Sequence, residues 1–242
     1  SKASRGIAES QAELFTKTVQ SGFLAGDSGP QMARRLKGRL KFADFGPLSV
    51  RQLAQAGGQL TAVANHQVNT LVRTSVNQVA NAISQATYKA NAEITEKYKY
   101  VATLDSRTSA RCRALDQQVF EYGKGPTPPQ HFGCRSATVP EIDYAALGMP
   151  EPPPSAIRRP GIISGPMSKA AKTRTVPANQ SYGEWLQEQG DNVKRDVLGP
   201  SRIPYWNKLV KKYGPEDAIR KFVANDGSEL TLKQLKARYG QP

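Results

Sequence analysis

Apolar residues recur every three or four positions over a long stretch of the first half of the chain, a period that predicts an amphipathic helix. We expect this helix from about Gln59 to Lys97, with a length of about 60 Å at 1.5 Å per residue. A shorter helix from Ser49 to Ala56 precedes it, and Gly57 and Gly58 are expected to separate the two. The apolar positions of the long helix are Leu60, Ala64, Val68, Leu71, Val72, Val76, Val79, Ile83, Ala86, Ala90 and Ile94.

Charged residues are almost missing from this stretch, because Arg73 is the one charged residue between Gln52 and Tyr88. The polar positions hold Asn, Gln, Ser and Thr, whereas a helix face in water normally carries Lys and Glu. Amides can be satisfied by hydrogen bonds across a subunit boundary at a lower desolvation cost than charges. The composition therefore predicts a face that is covered in a helical bundle or by another subunit, either a different protein or a second copy of this chain. The predicted interface residues are Asn77, Asn81 and Gln85.

Three short stretches after the helix alternate between apolar and polar residues, which is the period of a strand with one buried face. They span residues 98–104, 119–122 and 137–142. Packing these strands on the long helix would bury the apolar faces of both. The predicted fold class is therefore α+β and mainly helical, with the long helix packed on a small antiparallel sheet.

Composition divides the chain into four segments. Residues 1–46 form a helical and basic N-terminal segment, 47–144 the domain of the long helix and the sheet, 145–180 a proline-rich basic linker, and 181–242 a helical C-terminal region. The prolines of the linker predict an extended segment without regular structure. Helix start signals recur in the last segment. The predicted helices there begin near Ser181, Asp191, Pro215 and Leu230.

The charge balance indicates a polyanionic partner. The formal net charge is +14 and the pI is near 9.9, and Lys and Arg side chains that neutralise phosphates release counterions. Double-stranded DNA, bound without sequence preference, is the simplest partner of this kind. The predicted DNA-binding residues are Arg34, Arg35, Lys37, Arg39 and Lys41 in a basic run, and Arg158, Arg159, Lys169, Lys172 and Arg174 in the linker.

Composition also limits the class of protein. A hydrophobic content of 38% is compatible with a modest core. The chain has no run of 18 consecutive apolar residues, and its polar start is unlike a secretory signal. We therefore expect a soluble protein that is not exported by a standard route and has no membrane partner.

Both cysteines and one of the two histidines lie within residues 101–139, which we call the motif segment. Cys112, His131 and Cys134 supply three ligands of the kinds that zinc prefers, one fewer than a closed tetrahedral site needs. Asp105 or Asp116 could add an oxygen ligand. A disulfide between the cysteines would instead close a loop of about 22 residues, contribute on the order of 3 kcal/mol, and require oxidation. Two reduced cysteines and a hydrogen-bonded histidine that pack the loop are the third alternative. In each case the three side chains should converge.

The same residues do not form a recognisable catalytic set. No elbow motif or oxyanion hole accompanies the Cys/His pair, and the H-x-E and P-C-x-x-C strings of zinc deaminases do not occur. We therefore expect no enzymatic activity and assign no catalytic residue. Asp105, Arg107 and Arg135 are predicted instead to tie the turn together through charge-assisted hydrogen bonds.

The motif segment closely resembles the motif of the phage Mu F-like minor head proteins of tailed bacteriophages, D-x-R-T-x-x-x-C followed by P-P-x-H-x-x-C-R. Here it reads Asp105-x-Arg107-Thr108-x-x-x-Cys112 and Pro128-Pro129-x-His131-x-x-Cys134-Arg135. The family often has another cysteine three positions before the first one, where this chain has Ser109. The family's C-terminal tail is similar to three strings of residues 181–242, whereas the first 46 residues carry no such resemblance. These strings are Tyr182-x-x-Trp185-Leu186, Val197-Leu198-Gly199-Pro200-x-Arg202 and Leu230-Thr231-Leu232-x-x-Leu235.

The resemblance implies a structural minor head protein of a tailed bacteriophage. Such a protein would lie in the virion, in the capsid interior or at the portal vertex, and in the host cytoplasm during assembly. Its implied partners are the portal protein, other head proteins and DNA, and its role lies in head assembly, genome packaging or ejection. Two alternatives stay open: a toxin-type enzyme carried in the virion, as in family members fused to ADP-ribosyltransferases, and a free-standing nucleic-acid-binding protein.

Overall fold

The computed structural model describes residues 50–153, 157–163 and 172–242, together with a few positions between residues 17 and 35. For residues 50–68, 71, 162–163 and 172–174 it describes the backbone alone. The chain falls into two compact units, residues 1–80 with His131–Cys134, and residues 81–130 with 135–242. In the described part of the chain, no helix combines the length and the apolar character that crossing a bilayer requires.

Helices and a small antiparallel sheet build the described residues, so the α+β, mainly helical fold class is confirmed. The helices are α1 Val50–Ala90, α2 Ala110–Leu115, α3 Tyr182–Glu188, α4 Asp191–Leu198, α5 Ile203–Tyr213, α6 Pro215–Arg220 and α7 Leu232–Tyr239. The strands are β1 Lys97–Val101, β2 Val119–Glu121, β3 Ala137–Glu141, β4 Arg158–Ile163 and β5 Lys172–Pro177.

One continuous helix, α1, replaces the two helices predicted between Ser49 and Lys97. Gly57 and Gly58 lie inside it. The helix tolerates them because an interior glycine costs only about 1 kcal/mol relative to Ala and keeps its backbone hydrogen bonds. The helix ends at Ala90, seven residues earlier than predicted. The chain then turns, and the buried Thr95 hydroxyl donates to backbone carbonyls at Lys97 and Glu141, which fixes the start of β1.

The strands β2, β1 and β3 pair antiparallel in that spatial order. Tyr98 and Tyr100 of the central strand are fully buried, whereas Lys97 and Lys99 alternate with them on the more open face. The three predicted strands are therefore confirmed, although β1 ends at Val101 rather than at residue 104.

The polar face of α1 forms hydrogen bonds with Thr138 of β3. The Thr138 N–H donates to Oδ1 of Asn81, and the Thr138 carbonyl accepts from the Tyr88 hydroxyl. The Thr138 hydroxyl accepts from the amide of Gln85 at 3.0 Å. An edge strand leaves backbone donors and acceptors unpaired. At Thr138, side chains of α1 bind the backbone N–H and carbonyl that a fourth strand would otherwise pair.

The three predicted interface residues make contacts within the chain, and their contact with another subunit stays a prediction. Asn81 is buried and, with Gln85, binds the chain's own strand. Asn77 likewise donates to the carbonyl of Cys134 at 2.9 Å. Short uncharged side chains can hydrogen-bond a backbone that packs closely on the helix, whereas Lys and Glu would have to be desolvated there. At these three positions the amides of α1 have hydrogen-bond partners within the chain.

A β-hairpin occupies part of the predicted linker. β4 and β5 pair antiparallel in register from Arg158 opposite Pro177 to Ile163 opposite Lys172. Proline is tolerated at strand ends and on edge strands, where its missing N–H breaks no ladder bond, so Pro160 and Pro177 do not prevent pairing. The prediction that residues 145–180 lack regular structure is therefore wrong for these two stretches.

The C-terminal helices enclose an apolar core around Trp185, Trp206 and Phe222, all of which are almost fully buried. Ser181 and Thr231 form capping boxes at the starts of α3 and α7, which satisfy backbone N–H groups that a helix start leaves unpaired. Helices beginning near the four predicted positions are present, whereas α5 was not predicted. Leu104, next to β1, and Val176 of β5 also belong to this core.

Candidate functional site

Asp105 organises the turn that follows β1. Its carboxylate accepts two hydrogen bonds from the Arg135 guanidinium, at 2.5 and 2.7 Å, and further bonds from the Thr108 hydroxyl and the Arg107 N–H. Burial would raise the pKa of Asp105, but the hydrogen bonds and charge of Arg135 outweigh it and lower the pKa below its ordinary value. Asp105 and Arg135 thus form a charge-assisted pair within the turn. Arg107 contributes only its backbone N–H, since its side chain is exposed.

Asp116 lies at the end of α2 and is 2% exposed. Its carboxylate accepts from the backbone N–H groups of Ala102 and Tyr182, both at 2.7 Å, and from both terminal nitrogens of Arg159. Burial raises the pKa of Asp116, and the positive charge of Arg159 opposes this shift. A charge pair this deep is stable because each lone pair and proton finds a partner.

Arg159 is consequently unavailable to DNA, and its predicted role as a DNA-binding residue is wrong. The residue is 5% exposed, and besides Asp116 its guanidinium donates to the carbonyls of Ala102 and Gln180. The linker composition suggested a solvated basic side chain. The hairpin pairing instead turns Arg159 inward, on the side of β4 opposite its neighbour Arg158, because successive strand residues face opposite sides.

Two further side chains join the motif segment to the C-terminal helices. The buried Tyr182 hydroxyl donates to the backbone carbonyl of Asp105 at 2.7 Å. Arg113, on α2, donates to the carbonyl of Val197 at 2.7 Å and lies over the Tyr182 ring. Sequence reasoning missed Arg113, Tyr182 and the Asp116–Arg159 pair as polar partners. Local sequence contains no signal for them, because the contacts join residues 43 to 84 positions apart.

The predicted convergence of the sulfur and imidazole side chains stays a prediction, because Cys112 belongs to one compact unit and His131 and Cys134 belong to the other. Both cysteines are buried and neither forms a disulfide, and His131 is partly exposed. Two cysteines and a histidine are residue types that bind zinc.

The proposed oxygen ligands do not fit. Both carboxylates named for that place are bound to arginines, Asp105 to Arg135 and Asp116 to Arg159. Ser109, at the position where the family often has a cysteine, caps α2 by accepting from the Cys112 N–H. Nδ1 of His131 lies 2.9 Å from the Phe132 carbonyl. Because a carbonyl only accepts, Nδ1 carries the proton and Nε2 is the nitrogen able to bind a metal.

The remaining predicted DNA-binding residues are only partly described. Arg35 forms an ion pair with Asp27 at 2.8 Å. Arg158 is exposed and bonds Thr175 of the paired strand. For Lys172 and Arg174 the backbone position in β5 is known. Outside the described residues lie Arg34, Lys37, Arg39, Lys41 and Lys169.

A surface cavity of about 700 Å³ lies between residues 92–97 and 141–151. Its lining is rich in carboxylates and contains none of the cysteine, histidine or arginine side chains of the motif segment. The cysteine, histidine and arginine side chains that the sequence singled out therefore do not line this cavity. The polar side chains of the motif segment serve mainly to join parts of the chain.

The sequence model of the family described as Phage Mu protein F like protein matches residues 13–139, slightly more than half of the chain. The chain therefore belongs to this family, and it is a phage head morphogenesis protein that associates with the virion and with other head proteins. No curated protein and no solved structure matches the chain.

The match begins far earlier than the resemblance noted from the sequence, which left out the first 46 residues. Residues 13–46 belong to the matched part. The prediction that the first 46 residues carry no resemblance to the family is therefore wrong for residues 13–46. The match ends within β3 and leaves out β4, β5 and the C-terminal helices. The tail strings between Tyr182 and Leu235 thus stay a resemblance.

Proposed function

We propose that this protein is a structural minor head protein of a tailed bacteriophage that sits at the portal, contacts double-stranded DNA and assists head assembly, packaging or ejection of the genome. The observation that carries the proposal is the family match over residues 13–139. The net charge of +14 supports the DNA contact, because a protein inside a filled head lies against a dense polyanion.

The position in the virion is tested on purified particles. Labelling of intact and of emptied particles with an antibody should place the protein at one vertex and inside the shell, and pull-down with the purified portal protein should recover it. Recovery from host lysate but not from particles would contradict the proposal and favour the free-standing nucleic-acid-binding protein.

The DNA contact is tested separately by titrating duplex DNA at two salt concentrations. Binding should weaken steeply with salt and without sequence preference. Charge reversal of Arg34, Lys37 and Arg39 should reduce affinity. Unchanged binding after this reversal would remove the basic run from the proposal while leaving the head role intact.

We propose no enzymatic activity. The polar groups of the motif segment that could act in catalysis are engaged in structural bonds, as for Asp105, Asp116 and Arg113. A toxin-type effector would instead modify host proteins. Incubation of the purified protein with host extract and labelled NAD should therefore give no labelled product, and labelling above that of a heat-denatured sample would revive the effector alternative.

We also propose that Cys112, His131 and Cys134 bind a structural zinc ion, with a fourth ligand from solvent. The support is the set of residue types, since two cysteines and a histidine of the motif segment supply three ligands of the kinds that zinc prefers. A bound zinc would hold the loop that carries His131 and would stabilise the folded chain. Protein purified without chelator should contain about one zinc per chain, and Cys134→Ser should abolish it. If metal-free protein is as heat-stable as protein purified without chelator, the alternative in which reduced cysteines and a hydrogen-bonded histidine pack the loop would be favoured.

A further inference from the structure

Basic residues dominate two stretches of the C-terminal region that contain no Asp or Glu. Residues 199–214 contain Arg202, Lys208, Lys211 and Lys212, and residues 230–242 contain Lys233, Lys236 and Arg238. Elsewhere in this region, basic residues are mixed with acidic ones, as Lys194 and Arg195 are with Asp191 and Asp196 on α4. The segregation of charge therefore distinguishes α5 and α7 from their neighbours.

The fold brings these stretches together on one surface. Nζ of Lys208, on α5, donates to the carbonyls of Tyr239 and Gln241 at the end of α7. The Tyr239 hydroxyl donates to the carbonyl of Lys221, just after α6. Lys212 follows Lys208 by one helical turn, and the ammonium groups of Lys212 and Lys221 both lie over the Tyr213 ring, so the three lysines are neighbours on the surface.

Two lysine ammonium groups of this surface lie over the ring of Tyr213. The ring is 38% exposed, and the ammonium groups of Lys212 and Lys221 lie over it at 5.1 and 5.2 Å from the ring centre. Within the described part of the chain, neither lysine forms an ion pair. Two positive charges over one aromatic ring give this surface a local excess of positive charge, which favours a bound anion.

We propose that Lys208, Lys212, Tyr213 and Lys221 form a surface that binds the phosphate backbone of duplex DNA. The sequence assigned DNA contacts to the basic run and the linker, so this surface is additional to them. An ammonium group is a compact point charge that suits phosphates in many geometries. The surface is polar and positive like protein–DNA interfaces, whereas an interface with an acidic protein would be expected to include a dehydrated apolar centre.

The test uses the full chain, a labelled DNA duplex of mixed sequence and fluorescence anisotropy at about 50 and about 200 mM salt. The double variant Lys212→Glu and Lys221→Glu should lose at least about tenfold in affinity at low salt, and its plot of log K against log salt should be shallower by about 2. Tyr213→Phe keeps the ring and should bind like the unchanged protein, whereas Tyr213→Ala should bind several-fold more weakly.

The matched control is Lys194→Glu with Arg195→Glu on α4, which changes the formal charge equally in a mixed-charge helix. It should lose far less affinity than the α5 variant. Should the Glu variant unfold, Lys212→Gln with Lys221→Gln replaces it and should reduce affinity by a smaller factor. Unchanged binding by the folded variants, or an equal loss in the control, overturns the proposal.

A labelled polyglutamate of the same charge separates DNA from an acidic protein partner. It should bind much more weakly than DNA, and equal or tighter binding would overturn the DNA assignment. Reversal of Arg34, Lys37 and Arg39 in the same assay distinguishes the two sets of contacts. If that variant alone loses affinity, the C-terminal surface fails while the proposed function stands.

Discussion

At the scale of single residues, the charged side chains of the motif segment hold the chain together. Asp105 orders a turn through Arg135, and Asp116 gathers backbone N–H groups and the Arg159 guanidinium from three separate stretches. A carboxylate can accept about four hydrogen bonds, and Asp116 uses this capacity to connect the sheet, the hairpin and α3. Asp105 and Asp116 therefore have a connecting role in this fold.

Replacing Asp116 by Asn should lower the free energy of unfolding by about 3–5 kcal/mol, because the buried Arg159 guanidinium would lose its counter-charge. Adding Arg159→Met removes the unpaired charge and should recover part of the loss. Denaturant unfolding of the single and double variants measures both effects. As a control, Glu121→Gln breaks the exposed pair with Lys124 and should leave the midpoint nearly unchanged. An Asp116→Asn protein as stable as the original would contradict the role of this pair.

Asp105 should make the protein sensitive to acid. Because its pKa is lowered in the folded state, its contribution to stability is fully present above the ordinary carboxyl pKa and is lost as the pH falls through the folded value. The difference in unfolding free energy between the original chain and Asp105→Asn should therefore be large at about pH 6 and shrink towards about pH 2. Unfolding curves at several pH values test this, and a difference that does not change with pH would exclude the linkage.

At the scale of secondary-structure elements, local patterns predicted much of the fold. The alternation around Tyr98 and Tyr100 identified β1, and the Ser181 signal identified α3. Patterns failed where distant contacts decide the outcome. Prolines in residues 157–177 indicated a linker, but pairing of β4 with β5 and burial of Arg159 stabilise a hairpin there. For the same reason, local patterns did not indicate the bond between the Gln85 amide and Thr138, which lie more than 50 residues apart.

Gly183 marks the place where α3 and α6 approach most closely. A Cβ atom at this position would overlap the backbone carbonyl of Pro215, and backbone moves less readily than a side chain end. Gly183→Ala should therefore destabilise the protein by roughly 1–3 kcal/mol through overpacking. Thermal unfolding measures the effect. Gly190→Ala, where a Cβ would meet open space, changes only the N-cap preference for Gly over Ala and should cost at most about 1 kcal/mol, and equal effects of the two substitutions would refute the explanation.

At the scale of the whole molecule, the segment that matches the family makes some of its buried contacts with residues outside that segment. Leu104 packs in the core of the C-terminal helices, and Arg113 and Asp116 bond Val197, Arg159 and the Tyr182 backbone. All of these partners lie beyond residue 139, where the family match ends. The C-terminal helices are therefore a structural complement of the matched segment rather than an independent appendage.

A chain that ends at residue 180 should consequently fail to fold cooperatively. It would expose Leu104 to water and leave the buried groups Arg113 and Asp116 without several of their acceptors and donors, each of which costs about 1–3 kcal/mol. Circular dichroism during heating should show a broad transition at lower temperature, and adding residues 181–242 as a separate chain should restore a sharp one. The restoration distinguishes lost partners from irreversible misfolding of the shortened chain. A shortened chain that melts as sharply and at the same temperature as the full one would show that the matched part is self-sufficient.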